Sequence, residues 1–166
     1  MTTSTPKVTP TWSFLLAHPA HLVAFGFGSG LSPKAPGTVG TLVAFPFYWL
    51  LQANPFYWIW IAAFLAFGVW ACGVTGRTLG VHDHGGMVWD EIAAFLMVLP
   101  FAPVHELGMP LAFGLAFALF RLFDIWKPFP IGWLDARVPG GFGVMLDDVL
   151  AAGYAVACLL GVMIWL

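Results

Sequence analysis

Polar positions are so sparse along this chain that the runs between them set the plan. From Ala35 to Gly76 there are 42 consecutive residues without Asp, Glu, Lys, Arg or His. "QANP" (Gln52 to Pro55) interrupts that run with turn chemistry, which predicts a helical hairpin. A second uncharged pair, Ile92 to Val104 and Leu107 to Phe120, is divided only by His105 and Glu106, and Val149 to Leu166 forms a last apolar run. A full membrane span needs about 20 apolar residues at about 1.5 Å each. Phe56 to Thr75 and Val149 to Leu166 meet that length, whereas the 13 residues from Ile92 do not, and Pro100 and Pro103 would kink any helix there. Whether the 39–51 and 92–104 segments cross fully is left open by the pattern.

Ahead of these runs, "MTTSTPKVTPTWSFLLAHPAHLVAFGFG" has one Lys and an apolar stretch broken by His18, Pro19 and His21. A secretory signal has an uninterrupted apolar core instead. The segment reads as a polar tail and a membrane-surface helix over 1–24, with both histidines interfacial, followed by one membrane-embedded domain over 25–166. The expected fold class is all-α, a polytopic membrane helical bundle.

Composition agrees: 60% of the 166 residues are hydrophobic, 17% aromatic and only 8% charged, where a soluble domain carries roughly a quarter charged residues. A net charge of −2 gives no electrostatic footprint for nucleic acid. Cys72 and Cys158 lie in apolar runs and behave as small hydrophobes. "CGVTGR" puts four residues between Cys72 and Arg77, one too few for the Cys-x5-Arg loop of thiol phosphatases, which excludes that chemistry.

The charges are unevenly distributed on this layout. Lys34, Arg77, Arg121, Lys127 and Arg137 fall on one side of the two hairpins, joined by Lys7 if the N-terminal helix does not cross, while the opposite turns contain no Lys or Arg. By the positive-inside rule that side is cytoplasmic, and five crossings from Lys34 would put Leu166 on the other. Seven of the eight acids, Glu106 excepted, share the Lys/Arg side. Four sequence-distant polar segments can therefore converge there: "GFGSGLSPKAPGTVG", "RTLGVHDHGGMVWDE", "FRLFDIWKPFPIGWLDARVPGG" and "FGVMLDD".

Two of these segments place paired acids before apolar runs, Asp90 with Glu91 and Asp147 with Asp148. Helix capping explains one acid at each place, not two. Adjacent helical residues point about 100° apart, so one member of each pair can face inward. With Asp124 they form an all-oxygen cluster suited to a hard cation such as Mg²⁺, the alternative being salt bridges to the basic residues. Arg121 and Asp124 are three apart on one helical face, so Arg121 can bind phosphate, orient Asp124, or do both. Lys127 stands just before Pro128, which ends the helix. Lys34 is the one charge in a Gly- and Pro-rich loop without the spacing of a nucleotide P-loop. "HDHGG" lacks the second pair of a zinc site, and Asp83 fits better as an outer member of the acidic cluster.

"SGLSPKAPGTVG", "VWDEIAAF", "FRLFDIWKPFPI" and "GGFGVMLDDVLAAG", in that order across roughly residues 25 to 155, together resemble the phosphatidylglycerophosphatase A family. The resemblance implies a largely helical, Mg²⁺-dependent enzyme of the bacterial inner membrane. It would hydrolyse the terminal phosphate of phosphatidylglycerophosphate to give phosphatidylglycerol in phospholipid biosynthesis. Carried over position by position, it implicates Asp90, Glu91, Asp124, Asp147 and Asp148 as catalytic and metal-holding acids. Lys34, Arg121 and Lys127 would bind phosphate. Ala94 stands where the family's Gly is expected, and an additional Ala precedes Gly153, both of which bear on helix packing. A metal-activated water is the expected nucleophile, and an aspartyl phosphate is the alternative; no DxDx[TV] loop favours the latter. A cation-coupled transporter, the competing reading, would place its charges near the midplane of broken helices, and a structural membrane subunit would not gather three cations with five carboxylates. Oligomeric state is not legible.

Overall fold

The computed structural model describes residues 9–165. Lys7 with the polar tail and Leu166, used in the topological reading above, lie outside the described residues. Among those residues the chain is helical, without strands: α1 (Trp12–Ala17), α2 (Pro19–Ala24), a 3-10 stretch over Gly26–Leu31, α3 (Pro36–Leu51), α4 (Tyr57–Leu79), α5 (Trp89–Val98), a 3-10 turn over Leu99–Phe101, α6 (Val104–Leu107), α7 (Met109–Trp126), α8 (Ile131–Asp135) and α9 (Gly140–Trp165). Three helices, α4, α7 and α9, are long and apolar enough to cross a membrane. The 16-residue α3 is apolar but shorter, about 24 Å.

Large apolar side chains cover the outside of this bundle. Trp49, Phe56, Trp58, Trp60 and Trp165 are exposed at one end, and Trp126, Phe129 and Trp133 at the other. Surface of this kind is stable only against lipid, and aromatic residues at both ends are the usual interfacial anchors.

The run from Ile92 does not form a span. It belongs to α5, a ten-residue helix whose residues are buried except at Glu91 and Met97, which are partly so. Pro100 explains its end: the carbonyl of Leu96 would accept from the amide four residues on, and proline has none. The Tyr57 hydroxyl donates to that carbonyl instead, at 2.6 Å. The Trp89 indole likewise donates to the Phe64 carbonyl at 2.9 Å, tying the start of α5 to α4.

The last helix also departs from the sequence pattern. It starts at Gly140, not Val149, so Asp147 and Asp148 lie two turns inside α9 and not at its head. Nothing in "GGFGVML" breaks a helix once Gly141 and Gly143 are pinned by neighbours. A Cβ on Gly141 would lie 2.0 Å from the Val69 carbonyl oxygen and 2.5 Å from the Gly73 nitrogen, so the α4–α9 crossing requires glycine there. From Asp148 to Trp165 is about 27 Å at 1.5 Å per residue, near the ~30 Å hydrocarbon thickness. The acids therefore lie about one hydrocarbon thickness from the far end of α9 even though they are helix-interior.

The N-terminal segment is more deeply engaged than a surface helix would be. α2 packs on α4, with Ala20, His21, Val23 and Ala24 buried. His21 Nδ1 and Thr75 Oγ1 are 3.0 Å apart, so His21 is held by a side chain of α4.

Candidate active site

α5 begins, and α7 ends, at the same end of the bundle, and α9 runs past both. Asp90 and Glu91 occupy the first turn of α5. Arg121 and Asp124 lie on one face of the last turns of α7. The chain leaves α7 through Lys127, which adopts a left-handed conformation (φ 46°) before Pro128. That conformation costs a non-glycine residue about 1–2 kcal/mol, and it is offset where the side chain is tied down.

Lys127 is tied twice. Its Nζ donates to Asp147 Oδ2 at 2.5 Å and to Asp135 Oδ2 at 3.0 Å. Burial opposes its charge, but the bonds to Asp147 and Asp135 hold the ammonium above the usual lysine range. Arg121 makes the second knot: its Nη1 lies 2.8 Å from Glu91 Oε1 and 2.5 Å from Asp124 Oδ2. Thr41 Oγ1 on α3 stands 3.5 Å from the same nitrogen, at the outer limit of a hydrogen bond.

α3 reaches this knot because Gly37 lets it. A Cβ there would fall 2.1 Å from Glu91 Oε1 and 3.0 Å from Arg121 Nη2. The "SPKAPGTVG" segment thus contributes close backbone approach at Gly37. Lys34 is exposed at the head of α3 and forms no ion pair among the described residues; its carbonyl accepts from Ser32 Oγ at 2.9 Å.

The predicted acids are gathered, with one division among them. Glu91, Asp124 and Asp147 face the two cations. Asp90 and Asp148, 6% and 2% exposed, form no ion pair among the described residues, although Asp148 lies within electrostatic reach of Arg121. Asp148 lies within electrostatic reach of Asp124, Asp90, Asp147 and Glu91, and Asp90 within reach of Glu91, Asp83 and Asp147. Asp90 Oδ1 accepts only the amide of Glu91, at 3.0 Å. Glu91 Oε2 and Asp147 Oδ1 are buried with no hydrogen-bond partner. Five carboxylates are thus gathered with two cations, three of them paired and two not, in a place where uncompensated negative charge is costly.

Sequence reading left Asp135 without a role, though it shares Lys127 with Asp147. It also missed Gly37 and Thr41. Asp135 could have been found from its spacing eight residues past Lys127 across a Pro-rich turn; the other two depend on where α3 docks. Among the described residues, no three His, Cys, Asp or Glu side chains converge on a preformed metal site. What fits a hard cation is the donor set: all oxygen, in excess over the cations, with unsatisfied buried oxygens on Glu91 and Asp147.

Lipid-length helices closed around a buried cluster of acids and bases define a helical membrane protein with a polar centre at one end. The chain belongs to the phosphatidylglycerophosphatase A family, whose model matches residues 22–163. It is 44% identical to the phosphatidylglycerophosphatase A of Haemophilus influenzae over 95% of this chain and 96% of that one. To the Escherichia coli K12 phosphatidylglycerophosphatase A it is 43% identical over 82% of this chain and 78% of that one. No solved structure matches it. The chain is accordingly a phosphatase, and nothing favours a transporter.

Proposed function

We propose that this protein hydrolyses the terminal phosphate monoester of phosphatidylglycerophosphate, yielding phosphatidylglycerol and phosphate for phospholipid biosynthesis, with Mg²⁺ as cofactor. The bacterial cytoplasmic membrane is its site, with the acidic end facing the cytoplasm. The observation that carries the mechanism is the division of the acids: Asp90 and Asp148 are buried without an ion pair, beside three acids that have one. Asp90, Glu91, Asp124, Asp147 and Asp148 would hold the metal. When bound, Mg²⁺ supplies charge neutralisation on the phosphate and activation of a water.

The chain's own residues set the rest. Arg121 fixes Glu91 and Asp124, and Lys127 fixes Asp147, so the carboxylates are oriented before substrate arrives. In this arrangement both cations are held by acids, and phosphate reaches them only as those acids turn away. Lys34, exposed on the same side, is available to phosphate without that exchange. The apolar exterior keeps the lipid's acyl chains in the bilayer while its headgroup meets the acids at the slab boundary. The Lys/Arg bias of the loops at this end supports the cytoplasmic orientation.

Phosphate release from phosphatidylglycerophosphate by the purified protein, with Mg²⁺ and with chelator, tests the reading. Activity that needs the metal is expected; equal release in chelator would overturn the cofactor. Orientation is checked with an impermeant thiol reagent on intact cells: a cysteine at Gln52 should be labelled and one at Lys34 should not. The reverse pattern would invert the topology.

A further inference from the structure

Beside the acidic cluster a cleft of about 500 Å³ opens at the same end of the bundle, lined by His82, Asp83, Asp135, Arg137, Val138 and Pro139 among others. Asp135 joins it to the cluster, because the same carboxylate holds Lys127, which holds Asp147. The lip is set by a long-range contact: His82 Nε2 lies 2.9 Å from the Val138 carbonyl, and since a carbonyl only accepts, that nitrogen carries the proton and donates.

One basic side chain besides His82 lines this cleft, and it is held ready. The guanidinium of Arg137 lies over the Trp133 ring, 4.4 Å from its centroid. Its Nη1 donates to the Trp133 carbonyl at 3.1 Å. Among the described residues Arg137 forms no ion pair, whereas Arg121 and Lys127 are each bound by two acids. Trp133 and Phe129 beside it are exposed aromatics of the interfacial kind, which places Arg137 at headgroup depth.

The substrate reading above supplies the anion. A lipid with a phosphate monoester on its glycerol headgroup also carries a phosphodiester three carbons back toward the acyl chains. With the monoester at the cluster, that second anion must lie next to it, on the lipid side, amid an excess of carboxylates. Docking it there is unfavourable unless a cation meets it. We propose that Arg137 binds this bridging phosphodiester, its planar fork engaging the two non-bridging oxygens. It is the residue by which the site recognises a monoester carried on a headgroup. This inference rests on the proposed substrate.

The test compares wild type, Arg137→Ala, Arg137→Lys and, as a charge control, Arg77→Ala, in detergent micelles containing phosphatidylglycerophosphate. Arg77 is exposed and does not line the cleft; it lines an adjoining hollow of about 240 Å³ that meets the cleft at His82. Arg137→Ala should raise KM about tenfold or more, the scale of a charge-assisted hydrogen bond, with kcat changed less than about threefold. Inhibition by phosphatidylglycerol, which keeps the diester and lacks the monoester, should weaken in parallel, while inhibition by inorganic phosphate should not. Arg137→Lys should recover part of the loss, and Arg77→Ala should leave KM unchanged. A fall in kcat at constant KM, a loss of phosphate inhibition with phosphatidylglycerol inhibition intact, equal effects of Arg77→Ala and Arg137→Ala, or no effect at all would each overturn the assignment. A wild type that releases no phosphate would instead defeat the substrate reading itself.

Discussion

The two acid pairs look alike in sequence and are built differently. Asp90 and Glu91 open a short buried helix, where the amide of Glu91 donates to Asp90 and the positive helix end helps hold charge. Asp147 and Asp148 lie two turns inside α9, where no free amides or helix-end field remain. Both pairs reach the same outcome. One member takes a cation, Glu91 with Arg121 and Asp147 with Lys127, and the other is buried with no ion pair. Since helix position differs and outcome does not, capping is not what the second acid is for. A cluster of negative charge that two different local structures both maintain is selected at the level of the site.

The largest effects should come from the two acids without cations. Asp90→Asn and Asp148→Asn are each expected to lower kcat by about 10³-fold or more, within the range for removal of a group acting at the reacting centre. Thermal stability should hold or rise, because each change removes an uncompensated buried charge. Turnover assays and melting in detergent check both halves. Near-normal turnover in either variant would return that acid to a structural role and break the parallel between the pairs.

Next in size is Gly37→Ala. A methyl there would lie 2.1 Å from Glu91 Oε1, so the carboxylate must leave Arg121 or α3 must shift. Because the group in the way is the end of a side chain, the protein should still fold. Activity should fall about 10²-fold, the scale for misplacing a positioned group by about an ångström. Full activity would show that the Glu91–Arg121 geometry is not needed for turnover.

The contrast between the pairs also marks what the sequence could tell. The all-helical bundle, its hairpin turn at "QANP" and the gathering of four polar segments at one end were legible from the uncharged runs, because hydrophobic length has one physical meaning in a bilayer. The acids at α5 were placed correctly because Trp89 and the apolar residues after it start the helix there. The start of α9 is not legible in the pattern, because the acids mark a boundary at Val149 while the uncharged "GGFGVML" before them is helical as well. Its helicity depends on Gly73 and Val69 of another helix pinning Gly141. Arg121 with Asp124 was legible from their three-residue spacing on one helical face, whereas Asp135 at Lys127 and Gly37 beside Glu91 enter only through docking of α8 and α3.

The smallest effect expected is at Asp135, and it separates the two partners of Lys127. Asp135 is 31% exposed and Asp147 7% exposed at their side chains. An ion pair that solvent reaches is worth about 1 kcal/mol or less, because water screens the attraction and two long side chains lose freedom in forming it. Asp135→Asn should therefore destabilise the protein by no more than about 1 kcal/mol, keep Lys127 on Asp147, and leave the Mg²⁺ concentration needed for half-maximal phosphate release unchanged. Asp147→Asn removes the buried partner and a proposed metal oxygen together, so it should raise that Mg²⁺ requirement strongly. Titrating Mg²⁺ against phosphate release for both variants decides the matter. A Mg²⁺ requirement that shifts equally in both would mean that Lys127 organises the acids as one unit, and the distinction between an outer acid and an inner one would be lost.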